Sequence, residues 1–198
     1  MQYPYPTTDG METIGDLDND GNFKPHHTPW TGWTILFGDA SGGRDTASPR
    51  LRRVGCGLVQ IDWDTHRPVA ARGWSLAAEP HTVSRGELVC FKNALVYTQC
   101  HVLFVTDNDN VMKGWQERRW RNLDPCSADA DVWADIRQQL ALKPDRMVNV
   151  IKVESHLTEA ERNAHLLSDY LLDGNDSADT LAGVHAARIA VPAHLRSA

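Results

Sequence analysis

The order of its apolar segments constrains the fold of this chain more than any other feature. Three segments joined by short turns come first, at residues 34–41, 54–62 and 69–77. Short turns between successive strands favour an antiparallel meander. A helix, a strand, two helices, a strand and a last helix follow. This order predicts an α/β fold with a five-stranded mixed sheet, three antiparallel strands and then two parallel ones, flanked by helices.

A helix signal follows the three strands. Ser84 and Glu87 have the spacing of a capping box, which predicts a helix start at this point. Leu88, Phe91 and Leu95 then repeat on one helical face, so the helix is expected to pack against the sheet.

The second half of the chain alternates between strand and helix patterns. A short apolar run over residues 102–107 predicts a buried strand that ends on an acidic residue. The remaining elements are predicted as helices over residues 109–119 and 129–142, a strand over residues 147–153 and a final helix over residues 176–190.

The composition divides the chain into two parts. Residues 1–30 carry acidic residues with little periodic apolar content, which predicts a disordered acidic leader, and residues 31–198 are expected to fold as one domain. The four cysteines form no CxxC pair, which favours free thiols in a reducing compartment. The absence of a secretory signal and of a membrane-length apolar run predicts an intracellular protein, in the cytoplasm or nucleus, without a membrane partner.

The charge distribution is compatible with a nucleic-acid partner. The formal net charge of -6 taken alone argues against binding a polyanion. Basic residues nevertheless cluster after the first and after the fourth predicted strand, although such clusters are equally typical of solvated surfaces. The clusters are Arg44, Arg50, Arg52 and Arg53, and Lys113, Arg118, Arg119 and Arg121.

Four acidic residues lie at the ends or beginnings of predicted elements. Each taken singly has an ordinary explanation as a turn former, a helix cap or a residue that favours a helix dipole. Gathered at one end of a sheet, four carboxylates would repel one another unless cations lay among them. Divalent ions with oxygen ligands are the usual solution. The four are Asp39, Glu87, Asp107 and Asp179.

Five motifs in a fixed order contain these acids. They are FGDASGG, SRGELVCFKNAL, LFVTDNDNVMKGW, VIKVESH and GNDSADTLAG. In that order they resemble type I ribonuclease H, and more closely the ribonuclease H domains of retroelement reverse transcriptases of the non-LTR type. The resemblance extends over about residues 33–190 and implies a ribonuclease H-like fold.

The resemblance also implies an active site. In that family four acids hold two Mg²⁺ ions, with Mn²⁺ as a substitute, and the matching residues are Asp39, Glu87, Asp107 and Asp179. His156 matches a histidine that assists product release or proton transfer. An unusually long segment separates it from the last helix and contains a second histidine, His165, which leaves the assignment between the two open.

Contacts to the substrate are implied less directly. Residues after the first strand and polar groups near the end of the fourth are expected to touch the hybrid and its 2′-hydroxyls. An arginine-rich segment at the end of the second predicted helix resembles a basic protrusion found in some family members. The candidate contacts are Ser41, Gly42, Gly43, Asn108, Asn175, Arg118, Arg119 and Arg121.

The resemblance implies an endonuclease that hydrolyses the RNA strand of RNA–DNA hybrids by a two-metal-ion mechanism. The expected setting is retroelement reverse transcription, with a reverse transcriptase domain of a longer polyprotein as a possible partner. Two alternatives stay open: a catalytically silent nucleic-acid-binding module of the same fold, and a 3′–5′ exonuclease. The exonuclease normally requires Asp-x-Glu on the first strand, where this chain has Asp39, Ala40 and Ser41.

Overall fold

A central six-stranded sheet organises the molecule. The computed structural model describes residues 10–26, 28–77, 80–155 and 169–196. The sheet has the strand order β1-β4-β3-β2-β5-β6. The strands are β1 (Glu12–Gly15), β2 (Trp33–Ser41), β3 (Gly55–Ile61), β4 (Pro68–Ser75), β5 (His101–Thr106) and β6 (Val148–Lys152).

The five strands predicted from the sequence are present in the expected arrangement. Strands β2, β3 and β4 form an antiparallel meander, and β5 and β6 extend the sheet from β2 in parallel. The fold class is therefore confirmed. The number of strands was wrong by one, because β1 adds an antiparallel strand beside β4.

The additional strand lies in the segment for which the sequence predicted disorder. Within residues 10–26 the chain pairs with β4 through β1, and Phe23 is only 1% exposed in the core. Arg72 of β4 donates a hydrogen bond to Thr13 Oγ1 at 3.0 Å, which ties this segment to the sheet. The predicted leader is thus wrong for these residues, since β pairing and one buried aromatic ring hold them in place.

Helices cover both faces of the sheet. They are α1 (Val83–Val96), α2 (Asp109–Gln116), α3 (Ala130–Leu142) and α4 (Asp169–Arg188), followed by a 3-10 turn at Ala193–Leu195. Alternate residues of β2 face opposite layers, as expected for a strand. Leu36 and Ala40 lie in the core that includes α1 and α3 residues, whereas Ile35 and Phe37 lie in the core that includes Tyr170 and Ala178 of α4.

Two helix starts differ from the sequence prediction. The N-cap of α1 is Thr82, whose side chain accepts a hydrogen bond from the Arg85 amide at 3.1 Å, so Ser84 and Glu87 do not form a capping box. Helix α4 already includes Asp169, well before the predicted start at residue 176. In the described ranges, no helix combines the length and the apolar character that crossing a membrane requires.

Candidate active site

The four acids line one cleft at a single end of the sheet. The cleft has a volume of about 420 Å³, and its walls include Asp39, Glu87, Asp107 and Asp179. Parallel pairing of β2 with β5 places Phe37 beside Val105. Asp39 and Asp107 each follow two residues later, so the register of the sheet itself brings these two carboxylates side by side.

A close helix–strand approach brings Glu87 to the same place. Gly86 lies directly on β2, where an added Cβ would come within 2.6 Å of the Ala40 Cβ. The glycine allows the first turn of α1 to approach the strand closely. As a result Glu87 Oε1 accepts a hydrogen bond from the Ala40 amide at 3.2 Å, and its Oε2 accepts one from Thr106 Oγ1 at 3.3 Å.

The fourth acid reaches the cleft from the opposite face of the sheet. Gly57 of β3 pairs with Asp39, and an added Cβ there would come within 2.5 Å of the Ala178 carbonyl oxygen. Helix α4 therefore packs directly on the backbone of β3 at this point. Asp179 is the next residue of α4, and the close packing places it at the cleft wall.

Three of the carboxylates form a compact cluster. Asp39, Glu87 and Asp107 each offer a ligand oxygen, and these oxygens lie within 4.8 Å of one another. Asp39 is 6% exposed and Glu87 is 2% exposed, whereas Asp107 is half-buried. Asp179 lines the same cleft but lies outside this compact group.

The cluster perturbs the ionisation of its members. Burial raises the pKa of Asp39 to about 6, and the negative charges of Asp107 and Asp179 add to the rise. Burial also raises the pKa of Glu87 well above its ordinary value, with further contributions from its hydrogen bond and charge interaction with Asp39. The cluster thus favours bound protons when no other positive charge is present.

The donor set fits hard divalent cations. Carboxylate oxygens are the ligands that Mg²⁺ and Mn²⁺ favour, and mutual repulsion of buried carboxylates is relieved by a cation among them. Asp39, Glu87 and Asp107 have the proximity needed to hold such an ion, and Asp179 lies on the same cleft wall.

The three candidate substrate contacts at the end of β2 occupy different environments. Ser41 and Gly42 line the acid cleft. Gly43 instead lies beside α4, has a φ of +65° and donates its amide to Ser41 Oγ at 3.3 Å. Ser41 and Gly42 are therefore placed to meet a ligand in the cleft, and Gly43 supports the turn that presents them.

The two candidate asparagines have different environments. Asn108 lines the cleft, but its Oδ1 caps α2 by accepting hydrogen bonds from the amides of Asn110 and Val111 at 2.9 and 3.2 Å. Asn175 is 2% exposed within α4 and does not line the cleft. The expectation that Asn175 touches substrate is wrong, because its side chain packs inside the protein.

The arginine-rich segment forms an exposed turn after α2. Arg118, Arg119 and Arg121 are exposed there, and none of them lines the acid cleft. Arg121 stacks on the Trp120 ring at 4.6 Å, and Arg119 pairs with Glu117 at 2.9 Å. Arg119 also lines a neighbouring cavity that shares Asn110 with the cleft, which places the turn next to the acids rather than among them.

Sequence reasoning missed several residues of the cleft. Asp109, Asn110 and Ser155 line it, and Thr106 supports Glu87 from β5. Asp109 and Asn110 follow Asp107 closely, so their position just after the strand could have predicted that they line the cleft. His156 and His165, the two candidate histidines, lie outside the described residues.

Comparisons with known proteins support the fold. No protein-family model matches the sequence, and no curated protein matches it either. Among solved structures, the ribonuclease H domain of prototype foamy virus matches with a TM-score of 0.57 and 19% identity, over 78% of this chain and 94% of that chain.

Two further structures give the same result. Ribonuclease H1 of Halobacterium salinarum has a TM-score of 0.51 and 18% identity, over 78% of this chain and 97% of that chain. The protease–reverse transcriptase of prototype foamy virus has a TM-score of 0.55 and 20% identity over 85% of this chain. The matched region spans only 22% of that viral chain. At these identities the likeness concerns the fold, and the chain therefore has a ribonuclease H-like fold.

Proposed function

We propose that this protein is an endonuclease that hydrolyses the RNA strand of RNA–DNA hybrids with the help of two Mg²⁺ ions, for which Mn²⁺ can substitute. The observation that carries the proposal is the compact group of Asp39, Glu87 and Asp107 within 4.8 Å, in the cleft that Asp179 also lines. Residues 31–198 would form the ribonuclease H-like domain, with β1 as an added edge strand.

The four acids would hold the metal ions. Such ions, when bound, supply an activated water and stabilise the charge that develops on a phosphate. Asp39 is held by the rigid β2 strand, and its Oδ1 accepts a hydrogen bond from the Ala40 amide at 2.7 Å. Glu87 is held from two sides by the Ala40 amide and the Thr106 hydroxyl. This fixed arrangement limits the reorganisation needed when substrate arrives.

Groups around the acids would bind the substrate. Ser41 and Gly42 offer a hydroxyl and a backbone amide at the cleft, and hydroxyl-directed contacts are one way to distinguish RNA from DNA. The exposed Arg118, Arg119 and Arg121 would contact phosphates of the duplex outside the cleft. His156 is proposed to assist product release or proton transfer, with His165 as the alternative.

The biological setting is proposed from the likeness to a viral enzyme. One matched structure is a foamy virus protease–reverse transcriptase in complex with an RNA/DNA hybrid, with a TM-score of 0.52 and 19% identity. We infer a role in reverse transcription by a retroelement, inside the cell, with a reverse transcriptase domain as partner.

A substrate panel with Mg²⁺ tests the proposal. The purified chain is expected to cut the RNA strand of a hybrid internally while leaving double-stranded RNA, double-stranded DNA and single strands intact. Asp107→Asn removes one proposed ligand and should lower hybrid cleavage by at least about a hundredfold while preserving the fold. Asp135→Asn, an exposed acid on α3, is the matched control and should cut as the parent does.

Each other outcome of the panel would indicate a different function. Trimming that starts from strand ends would indicate an exonuclease, and binding of hybrid without cleavage would indicate a silent module. Equal cleavage by the parent and Asp107→Asn would show that the acid cluster is not the catalytic centre.

A further inference from the structure

One lysine stands beside the acid cleft. Lys152 is the last residue of β6 and pairs in the sheet with Thr106, the residue before Asp107. Its Nζ lies 3.1 Å from Oδ1 of Asp109. Asp109 lines the cleft, so this ion pair places a cation at the rim of the candidate active site.

Acidic residues dominate the described wall of the cleft. Its described lining includes Asp39, Glu87, Asp107, Asp109 and Asp179 but neither a lysine nor an arginine. Metal ions would offset the charge of the four proposed ligands but not that of Asp109. Lys152 is the main counter-charge of Asp109, and Lys113, four residues later in α2, adds a smaller attraction. A phosphate backbone that entered the cleft would therefore meet a poorly compensated carboxylate if Lys152 were absent.

We propose that Lys152 is a substrate-binding residue that neutralises Asp109 and binds a phosphate oxygen of the nucleic-acid strand on the β6 side of the cleft. This inference rests on the proposed function. A lysine ammonium carries three donors, so it can contact a carboxylate and a phosphate at the same time. The side chains of Lys152 and Asp109 are 36% and 63% exposed, which leaves the pair open to a ligand.

A structural role for the same pair makes different predictions. Exposed ion pairs contribute little to stability. If the pair only joined β6 to α2, its loss would change neither the KM for a hybrid nor the dependence of cleavage on salt.

The molecule contains a matched control. Lys24 Nζ lies 2.6 Å from Asp16 Oδ1, and the two side chains are 41% and 58% exposed, close to the exposures of the Lys152 pair. Neither residue lines the acid cleft. Lys24→Gln therefore removes the same charge and the same kind of ion pair from a different part of the protein.

The experiment measures kcat and KM for hybrid cleavage with Mg²⁺ over a range of salt concentrations. For Lys152→Gln we expect KM to rise about tenfold, kcat to change less than about twofold, and the slope of log(kcat/KM) against log salt to become shallower by about one. Lys24→Gln should leave all three unchanged. Lys152→Arg keeps the charge and should retain both the parental KM and the parental slope.

Removal of Asp109 tests the coupling within the pair. Asp109→Asn alone should lower KM, because one repulsive charge leaves the cleft. In the Asp109→Asn background, Lys152→Gln should raise KM by a smaller factor than it does in the parent, since part of its effect is the exposure of Asp109.

The results separate this inference from the proposed function. Equal KM and equal salt slope in Lys152→Gln and Lys24→Gln, with a parent that cleaves hybrid, would overturn the role of Lys152 alone. A loss of kcat without a change in KM would overturn it as well. A parent that does not cleave hybrid would overturn the proposed function and this inference with it.

Discussion

The buried acids of the cleft are costly for the metal-free fold. Asp39 and Glu87 are nearly inaccessible to water, and each lies within hydrogen-bonding distance of the Ala40 amide. Burial raises the pKa of both carboxyls, and the negative charges of neighbouring acids, Asp107 among them, add to the rise. Functional residues often reduce stability in this way, and the cation binding that we propose would remove the cost.

The pKa of Asp39 predicts how stability depends on pH without metal. Its pKa rises from 3.8 when exposed to about 6 in the fold, mainly through burial. Between these two pH values the folded state therefore holds a proton that the unfolded chain releases. The stabilising contribution of that proton is complete below pH 3.8 and is lost as the pH rises through about 6.

Asp39→Asn should remove this dependence. In EDTA the variant is expected to be more stable than the parent by roughly 3 kcal/mol at pH 7 and nearly equal to it at pH 3.5. Urea denaturation at both pH values measures the difference. A variant that is less stable than the parent at pH 7 in EDTA would contradict the repulsion on which the metal proposal depends.

Single residues also show how far the candidate site could be predicted from the sequence. The acids were identified because the motifs that contain them follow one another in the order of a known family, and all four reach the same cleft. Asn175 was misassigned because its position in the motif of Asp179 does not indicate which face of the helix its side chain occupies. Its side chain faces the protein interior, at 2% exposure.

At the scale of elements, glycines let the helices approach the sheet closely near the acids. Gly86 lets α1 rest on β2, and Gly57 lets α4 rest on β3. The strands were predictable because their apolar runs are short and bounded by turns. The helix starts were less so, since Thr82, one residue before α1, caps it instead of the S-x-x-E pair.

The packing of α4 on β3 predicts the effect of a single methyl group. In Gly57→Ala the new Cβ would lie 2.5 Å from the Ala178 carbonyl oxygen, so helix and strand must separate. We expect a loss of about 1–3 kcal/mol in the free energy of unfolding. The shift also moves Asp179, so hybrid cleavage should require more Mg²⁺ to reach half of its maximal rate.

Gly183→Ala is the matched control on the same helix. Apart from its chain neighbours and the backbone of its own helix, no atom lies within 4 Å of the position of its added Cβ, and the substitution should stabilise α4 by about 0.5–1 kcal/mol. Urea denaturation and a Mg²⁺ titration of cleavage distinguish the two variants. Equal Mg²⁺ requirements for both would show that the Gly57 contact does not position Asp179.

At the scale of the whole molecule, the folding unit includes residues before the predicted domain boundary. Low hydrophobicity and five acids predicted disorder for residues 1–30. Composition alone does not reveal that one aromatic residue, Phe23, holds the segment in the core. Phe23 donates its amide to the Tyr97 carbonyl at 2.8 Å, and its ring lies in the core shared by α1 and β4.

Removal of this anchor should destabilise the entire domain. Phe23→Ala deletes a ring that is 1% exposed, and such deletions cost about 3–5 kcal/mol. Ile14→Ala is the matched control from the same segment, because Ile14 is 62% exposed and its loss should cost less than about 0.5 kcal/mol. Urea denaturation followed by circular dichroism measures both. A buried ring shared with α1 and β4 contributes to global unfolding only when its segment unfolds together with them. If the two variants unfolded at the same urea concentration, residues 10–26 would therefore lie outside the cooperative unit of the domain.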